Sequence, residues 1–265
     1  MSTDSAVSTE ARDAAYDLAV VLADTEFISA HRYSEWGMLG APSIEEDIAL
    51  SSVIQDELGH GRAAYKAAAD LGETSVDDLL YERSVDEWRS PTVLDSQLDN
   101  WAEIVASLAV LDYATVLVYE NLQNSSVDEL SGIAEKVLQE ESQHIQHGHV
   151  WLGVFADESE GEYPKEELQA ALDSFVPQVA QWLGRNDGND VLLEAGVFER
   201  SNEQMREEFL SDISSLLESH GYDVPDVDLE WDEWDDQSRR PSPPESTFEE
   251  TVDEVTGRQH RYLAG

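Results

Sequence analysis

Apolar residues recur at helical spacing through the first two-thirds of the chain, and no strand-like alternation of consequence interrupts them. A first long helix is predicted from about Ala11 to Met38, with Val20, Val21, Phe27 and Ile28 among its apolar positions. The break GMLGAPS follows. Pro42 and Ser43 open a second helix, where Ser43 and Glu46 fit a capping box; it runs to about Leu71, with Gly72 as its stop. Residues 73–95 carry a weaker helical signal and Pro91, and are too long for a simple hairpin, so they are expected to cross over. A third helix covers about Ser96 to Gln123. After the turn NSS, Ser126 and Glu129 make a second capping box for a fourth helix ending near Phe155. Beyond GEYP come two more helices, about Lys165–Leu183 and Ser201–His220.

From Gly221 the chain is rich in Pro, Asp, Glu and Trp, and reads as an extended tail. Trp231 and Trp234 suggest that this tail lies against an apolar surface. Two long hairpins joined by a crossover predict an all-α, ferritin-like four-helix bundle with additional C-terminal helices over residues 1–220. An extended acidic tail over residues 221–265 completes the expected organisation.

Charge changes this picture in one respect. The 265 residues include 58 acidic and 15 basic side chains, a formal net charge of −43. That excess repels nucleic acid and anionic membranes, so neither is an expected partner. Because the carboxylates alternate with apolar helical stripes, the expectation is a folded protein with an acidic shell, as in salt-loving organisms, rather than disorder. Only Lys66, Lys136 and Lys165 represent lysine. Cysteine is absent, which excludes disulfides, thiolate metal sites, cysteine-held iron–sulfur clusters and cysteine nucleophiles. No apolar run is expected to reach the roughly 18 residues of a membrane span, and MSTDSAVSTEARDA lacks the basic start and apolar middle of a signal peptide. A cytoplasmic location is the simplest expectation.

The candidate chemistry lies in two Glu-x-x-His pairs, Glu57–His60 in QDELGH and Glu141–His144 in EESQH. A three-residue step places both side chains of a pair on one helix face. In an antiparallel hairpin, residues equally far from the turn share a level. Glu57 is fifteen residues past Pro42 and Glu26 sixteen before it. Glu141 is fifteen past Ser126 and Asp112 fourteen before it. Glu35 and Glu120, the substitutes for Glu26 and Asp112, would lie nearer their turns. Each half thus supplies one carboxylate from its first helix and a Glu-x-x-His from its second. Four carboxylates converging between helices need counter-charge, and two divalent ions would supply it. Oxygen and imidazole ligands without thiolate suit iron, with manganese as the alternative. Asp56 and Glu140 neighbour the ligands in sequence but point elsewhere on their helices and receive no role. Tyr33 and Tyr119, seven residues after Glu26 and Asp112, read as core before they read as radical sites. His147 reads as a residue near the ligands or as a polar residue at the end of the bundle. Trp36, Trp101 and Trp151 read as core or interface anchors.

At these residues the chain resembles the phenylacetic-acid catabolic proteins, the ferritin-like subunits of phenylacetyl-CoA epoxidase. IQDELGHGRAAYKAAADLG and LQEESQHIQHG are similar to the second- and fourth-helix signatures of the catalytic subunit, and VLDYA carries the aspartate of the third. FLSDISSLLESHGYDVPDVDLEWD resembles the segment after the bundle. The compact first hairpin in SEWGMLGAPSIEEDIALSS is instead similar to the structural subunit. The resemblance implies an oxygenase component that activates O2 at a di-iron carboxylate site and converts the ring of an aromatic acyl-CoA to an epoxide. Its alternative is a non-catalytic structural subunit of the same complex with a retained or vestigial metal site. Glu26, Glu57, His60, Asp112, Glu141 and His144 would be the catalytic and metal-binding residues, with Glu57 and Glu141 bridging. Its partners would be a reductase, a small coupling subunit and a sister ferritin-like subunit. With no flavin fingerprint and no cysteine, electrons would come from that separate reductase. Arg32, Arg62 and Lys66 are the basic candidates for the CoA phosphates.

Overall fold

The computed structural model describes residues 7–36, 40–157, 159, 163–245 and 248–257. Helix α1 (Thr9–Trp36) and helix α2 (Ile44–Gly72) pack along each other as the first hairpin. The predicted end of α1 at Met38 lies outside the described residues. Residues 73–100 carry a short α3 (Val76–Tyr81) and two 3-10 turns, Val85–Glu87 and Thr92–Leu94. Helix α4 (Trp101–Leu122) and helix α5 (Asp128–Ala156) form the second hairpin. Three further helices follow: α6 (Lys165–Trp182), α7 (Asp190–Glu194) and α8 (Asn202–Ser219). The segment after Gly221 runs extended, with an isolated bridge between Asp235 and Arg240, and leads to α9 (Glu249–Thr256). The architecture is an all-α, ferritin-like bundle, and no strand is present among the described residues.

The helix ends show where neighbours override local signals. Ser43 caps α2 by accepting from the Glu46 amide at 3.3 Å. The Glu46 side chain does not complete the predicted box; it accepts from Trp151 Nε1 at 3.0 Å and lies 2.8 Å from His147 Nε2 on α5. Gly72 is not the left-handed stop of α2. That conformation falls on Glu73 (φ 51°), while a Cβ on Gly72 would strike the Tyr16 ring at 2.6 Å. The second predicted box does not form either. Ser126 Oγ donates to Ala195 O at 2.8 Å, so the serine is held by the α7 loop, and α5 starts two residues later without a side-chain cap. Ser201 and Gln204 do form a complete box at α8.

Helix α4 departs from the sequence reading in two ways. It starts at Trp101, capped by Asn100, and it contains a π-helical turn over Ser107–Leu111. It is also long and apolar enough to cross a membrane by length and composition alone, with mean hydropathy 1.6, contrary to the expectation that no such run exists. Most of that stretch is buried, with α5 and α6 packed against it. The backbone of the π turn is approached closely at Gly148 of α5, where a Cβ would meet Ala109 N at 2.8 Å.

Several of the few basic residues are buried. Arg83 donates to both oxygens of Asp24 (2.8 and 2.6 Å), which also accept from Tyr65 Oη at 2.5 Å and the Arg89 amide at 2.8 Å. This saturated carboxylate clamps the crossover onto α1. Arg240 pairs with Asp95 at 2.6 Å, Arg239 donates to Asn202 at 3.1 Å, and Arg32 donates to Leu94 O, Asp95 O and Thr251. Phe248 and Val252 are buried with them, and the Arg206 guanidinium stands over Trp231 at 5.5 Å, so the C-terminal segment is packed on the bundle. With these cations inside, the acidic excess lies mainly at the surface. Reducing KCl from about 1 M to about 0.05 M lengthens the screening distance from about 3 Å to more than about 10 Å. The thermal midpoint is therefore expected to fall, by roughly 2–4 °C for each kcal/mol of added repulsion. A salt-independent midpoint in circular dichroism would contradict the acidic-shell reading.

Candidate metal centre

Each long helix brings one face to the middle of the bundle. Glu26 comes from α1, Glu57 and His60 from α2, Asp112 from α4, and Glu141 and His144 from α5. All six are buried, none more than 4 % exposed. One ligand atom from each of Glu26, Glu57, His60 and Glu141 lies within 4.8 Å of the others; the same holds for Glu57, Asp112, Glu141 and His144. Glu57 and Glu141 belong to both groups. The two imidazole rings are 6.2 Å apart between centroids. Gly61, next to His60, lets α2 approach α1 here, since a Cβ would lie 3.3 Å from Phe27 N. The substitutes lie elsewhere: Glu35 pairs with Arg32 at 3.0 Å, and Glu120 is half-exposed beside Arg200.

The polar atoms facing this centre are left without normal hydrogen bonds. Glu26 Oε1, Glu57 Oε1, His60 Nδ1, Asp112 Oδ2, both Glu141 oxygens and His144 Nδ1 are buried and unpartnered. His60 Nδ1 is 3.1 Å from Glu141 Oε1, and His144 Nδ1 is 3.4 Å from Glu57 and Glu141, all outside hydrogen-bond geometry. Orphaned buried atoms of this kind cost about 1–3 kcal/mol each, more when charged. A donor set of carboxylate oxygens and imidazole nitrogens around a shared pair of carboxylates fits two cations.

The charges respond accordingly. Burial, then the charges of Glu141 and Glu26, push Glu57 well above the usual carboxylate range. Asp112 is pushed up by the same causes. Burial would raise Glu26 too, but its contacts with Glu57 and His60 outweigh that and hold it low. Burial would lower His60, yet Glu141 and Glu26 carry it up to about 11. His144 is raised likewise, through Glu141 above all.

These shifts fix a sign. Glu57, Asp112, His60 and His144 hold protons in the folded metal-free chain that they release when unfolded. Their contribution to stability is therefore lost as pH rises from the unfolded values toward the folded ones, with Glu26 opposing. Cations that replace those protons should bind more tightly as pH rises. The metal-induced gain in thermal midpoint is expected to be larger at about pH 8 than at about pH 5.5. Paired melts with and without metal check this, and a gain that shrinks with pH would contradict it.

The structure assigns a place to two residues the sequence reading passed over. His60 Nε2 lies 2.8 Å from Glu140 Oε2, and His144 Nε2 lies 3.4 Å from Asp56 Oδ2. Helices α2 and α5 are antiparallel neighbours, so the residue before each Glu faces the histidine of the other helix. When a cation displaces the Nδ1 proton, the proton that stays on Nε2 is the one these carboxylates can hold, and the Nδ1 lone pair is free for the centre. The signal was the repeated offset: an acid directly before each Glu-x-x-His. Glu140→Gln and Asp56→Asn are each expected to weaken metal affinity about 10- to 100-fold without changing the number of ions at saturation. Competition titration with a chelator measures this.

Tyr33 and Tyr119 are fully buried, and each reaches the opposite hairpin: Tyr33 Oη donates to Asp112, and the Glu26 charge acts on Tyr119. His147 sits beside Glu46, away from the six. Trp101 and Trp151 stack edge-to-face at 5.3 Å, and Trp36 donates to Leu98 O. Arg32 is engaged with the crossover and Thr251 and does not face solvent. Arg62 and Lys66 are exposed one turn apart on α2 and make no ion pair among the described residues. A third, more exposed group, His31 with Glu35 and Glu254 at 3.3 Å each, ties α9 to α1.

The model of the phenylacetic acid catabolic protein family matches residues 1–250. The chain is 28 % identical over 218 residues to one subunit of the 1,2-phenylacetyl-CoA epoxidase of Escherichia coli K12, covering 77 % of this chain and 69 % of that one. It is 24 % identical over 177 residues to another subunit of the same epoxidase, covering 66 % and 70 %. With a family match spanning nearly its whole length, the chain belongs to the phenylacetic acid catabolic protein family.

Proposed function

We propose that this chain is the oxygenase component of a multicomponent aromatic acyl-CoA epoxidase acting on phenylacetyl-CoA in the cytoplasm. One observation carries the reading: two four-residue ligand groups that share Glu57 and Glu141. Glu26 and His60 would complete one metal position, Asp112 and His144 the other. Two bound ferrous ions would supply the O2 activation and two electrons, restored after each turnover; with two protons taken up, one oxygen atom would go to the ring and the other would leave as water. The protein's own part is to hold both positions at one level and to exclude bulk water from six buried side chains. Through Glu140 and Asp56 it also keeps each histidine proton on Nε2. Electrons would come from a separate reductase, because the chain carries no cysteine-held cluster. Arg62 and Lys66 are the free cations on α2 that suit the CoA phosphates. A small coupling subunit and a sister ferritin-like subunit would complete the complex.

A second reading rests on the similarity to two different subunits of one epoxidase rather than to one alone. In it the chain is a structural component whose centre binds metal without turnover. The two separate by experiment. Iron-loaded protein with reductase and phenylacetyl-CoA should consume O2 in proportion to epoxide formed. Two bound irons without O2 consumption, in the presence of every partner, would favour the structural role.

A further inference from the structure

The two hairpins supply matching ligand sets, and an acid stands behind each histidine, but the tyrosines beside Glu26 and Asp112 are held differently. Tyr33 on α1 and Tyr119 on α4 occupy matching places, seven residues after Glu26 and Asp112. Both are fully buried. Tyr33 Oη donates to Asp112 Oδ1 at 3.1 Å and is 2.8 Å from Ser107 Oγ. Ser107 opens the π turn of α4, and α1 is a regular helix with no counterpart to it. Tyr119 Oη, by contrast, stands against Glu26 without a hydrogen bond of normal geometry and has no second partner like Ser107. Asp112 therefore has one oxygen tied and only Oδ2 free. Glu26, with one more rotatable bond, also keeps one orphaned oxygen, Oε1, and its contacts run to Glu57 and His60 inside the centre and to Tyr119, whose hydroxyl no second residue holds.

We propose that Tyr33 is a positioning residue that makes the two metal positions unequal. With Ser107 and the π turn it fixes Asp112 as a one-oxygen ligand already aimed at its cation. The Asp112–His144 position therefore fills first and more tightly. The Glu26–His60 position, whose carboxylate has no hydroxyl hydrogen-bonded to it as Tyr33 is to Asp112, fills second and stays adjustable. The physical cause is preorganisation. A carboxylate held by a hydroxyl loses little freedom on binding, whereas a free glutamate must be ordered at that moment. This inference rests on the metal-site reading above, and its test separates the two.

The test is a Co2+ titration of metal-free full-length protein, followed by visible absorption, with midpoints of thermal unfolding measured alongside. The wild-type chain should bind two ions in two resolved steps. Asp112→Ala should remove the tighter step and Glu26→Ala the weaker one. Tyr33→Phe should weaken the tighter step by about tenfold or more and alter its absorption bands, with the second step little changed and the metal-free midpoint lowered by a few degrees at most. Tyr119→Phe should leave both steps within about twofold. Ser107→Ala, which keeps the Tyr33 ring in place, should act in the same direction as Tyr33→Phe and guards against a folding defect. Two ions bound with the tighter step untouched in both Tyr33→Phe and Ser107→Ala would overturn the inference and leave the metal centre standing. Equal effects of Tyr33→Phe and Tyr119→Phe would also overturn it. A wild-type chain that binds no Co2+ would overturn the metal centre and the inference together.

Discussion

Replacing Glu141 with leucine is expected to abolish binding of both cations while making the metal-free protein more stable. Glu141 belongs to both ligand groups, so one substitution opens both positions. Its two oxygens are buried and unpartnered, and its charge is a leading cause of the raised Glu57 and Asp112. An apolar side chain of similar volume removes that burden, on the order of 1–3 kcal/mol in the absence of metal. Added metal should then give no rise in thermal midpoint, and O2-dependent turnover should fall to background. A purely structural glutamate would give the opposite pattern: lower stability and unchanged metal content. Elemental analysis and calorimetry of the same preparation distinguish the two.

The largest loss of stability is expected from Arg83→Met. Asp24 sits on α1 two residues before Glu26, fully buried, and both its oxygens depend on the guanidinium. Removing the cation leaves a buried carboxylate with only Tyr65 and the Arg89 amide. Breaking a buried pair from one side costs about 3–5 kcal/mol, equivalent to a drop of roughly 6–20 °C in a chain of this size. The guanidinium also stacks on Trp88 at 4.6 Å, so the crossover should loosen with it. The double variant Asp24→Leu with Arg83→Met should recover much of the loss, because no charge is then stranded. If the single and double variants are equally destabilised, packing rather than charge pairing holds the crossover.

The fold and the centre were legible to different depths. Helical rise and antiparallel pairing are rigid rules, so residue counts from two turns sufficed to nominate Glu26 and Asp112 over Glu35 and Glu120. The structure brings the nominated pair to one level with the two Glu-x-x-His pairs. Contacts between hairpins were not legible. Which helix lies beside which decides that Glu140 meets His60 and Asp56 meets His144. The crossing of Tyr33 to Asp112 depends on the same fact. The π turn at Ser107–Leu111 left no local signal that propensity could show. Helix ends failed where a neighbour competed: Glu46 turned to Trp151, and Ser126 turned to Ala195 O. Helix α9 was missed because its formation depends on burying Phe248 and Val252 beside Arg32, a tertiary effect in an otherwise acidic, proline-rich segment.

The most direct measurement is anaerobic loading of metal-free protein with ferrous ion, followed by iron analysis and X-ray absorption. The account predicts two irons per chain, about 3.5–4 Å apart, in an oxygen and nitrogen environment without sulfur. A single iron, or two with no metal–metal scattering, would contradict it.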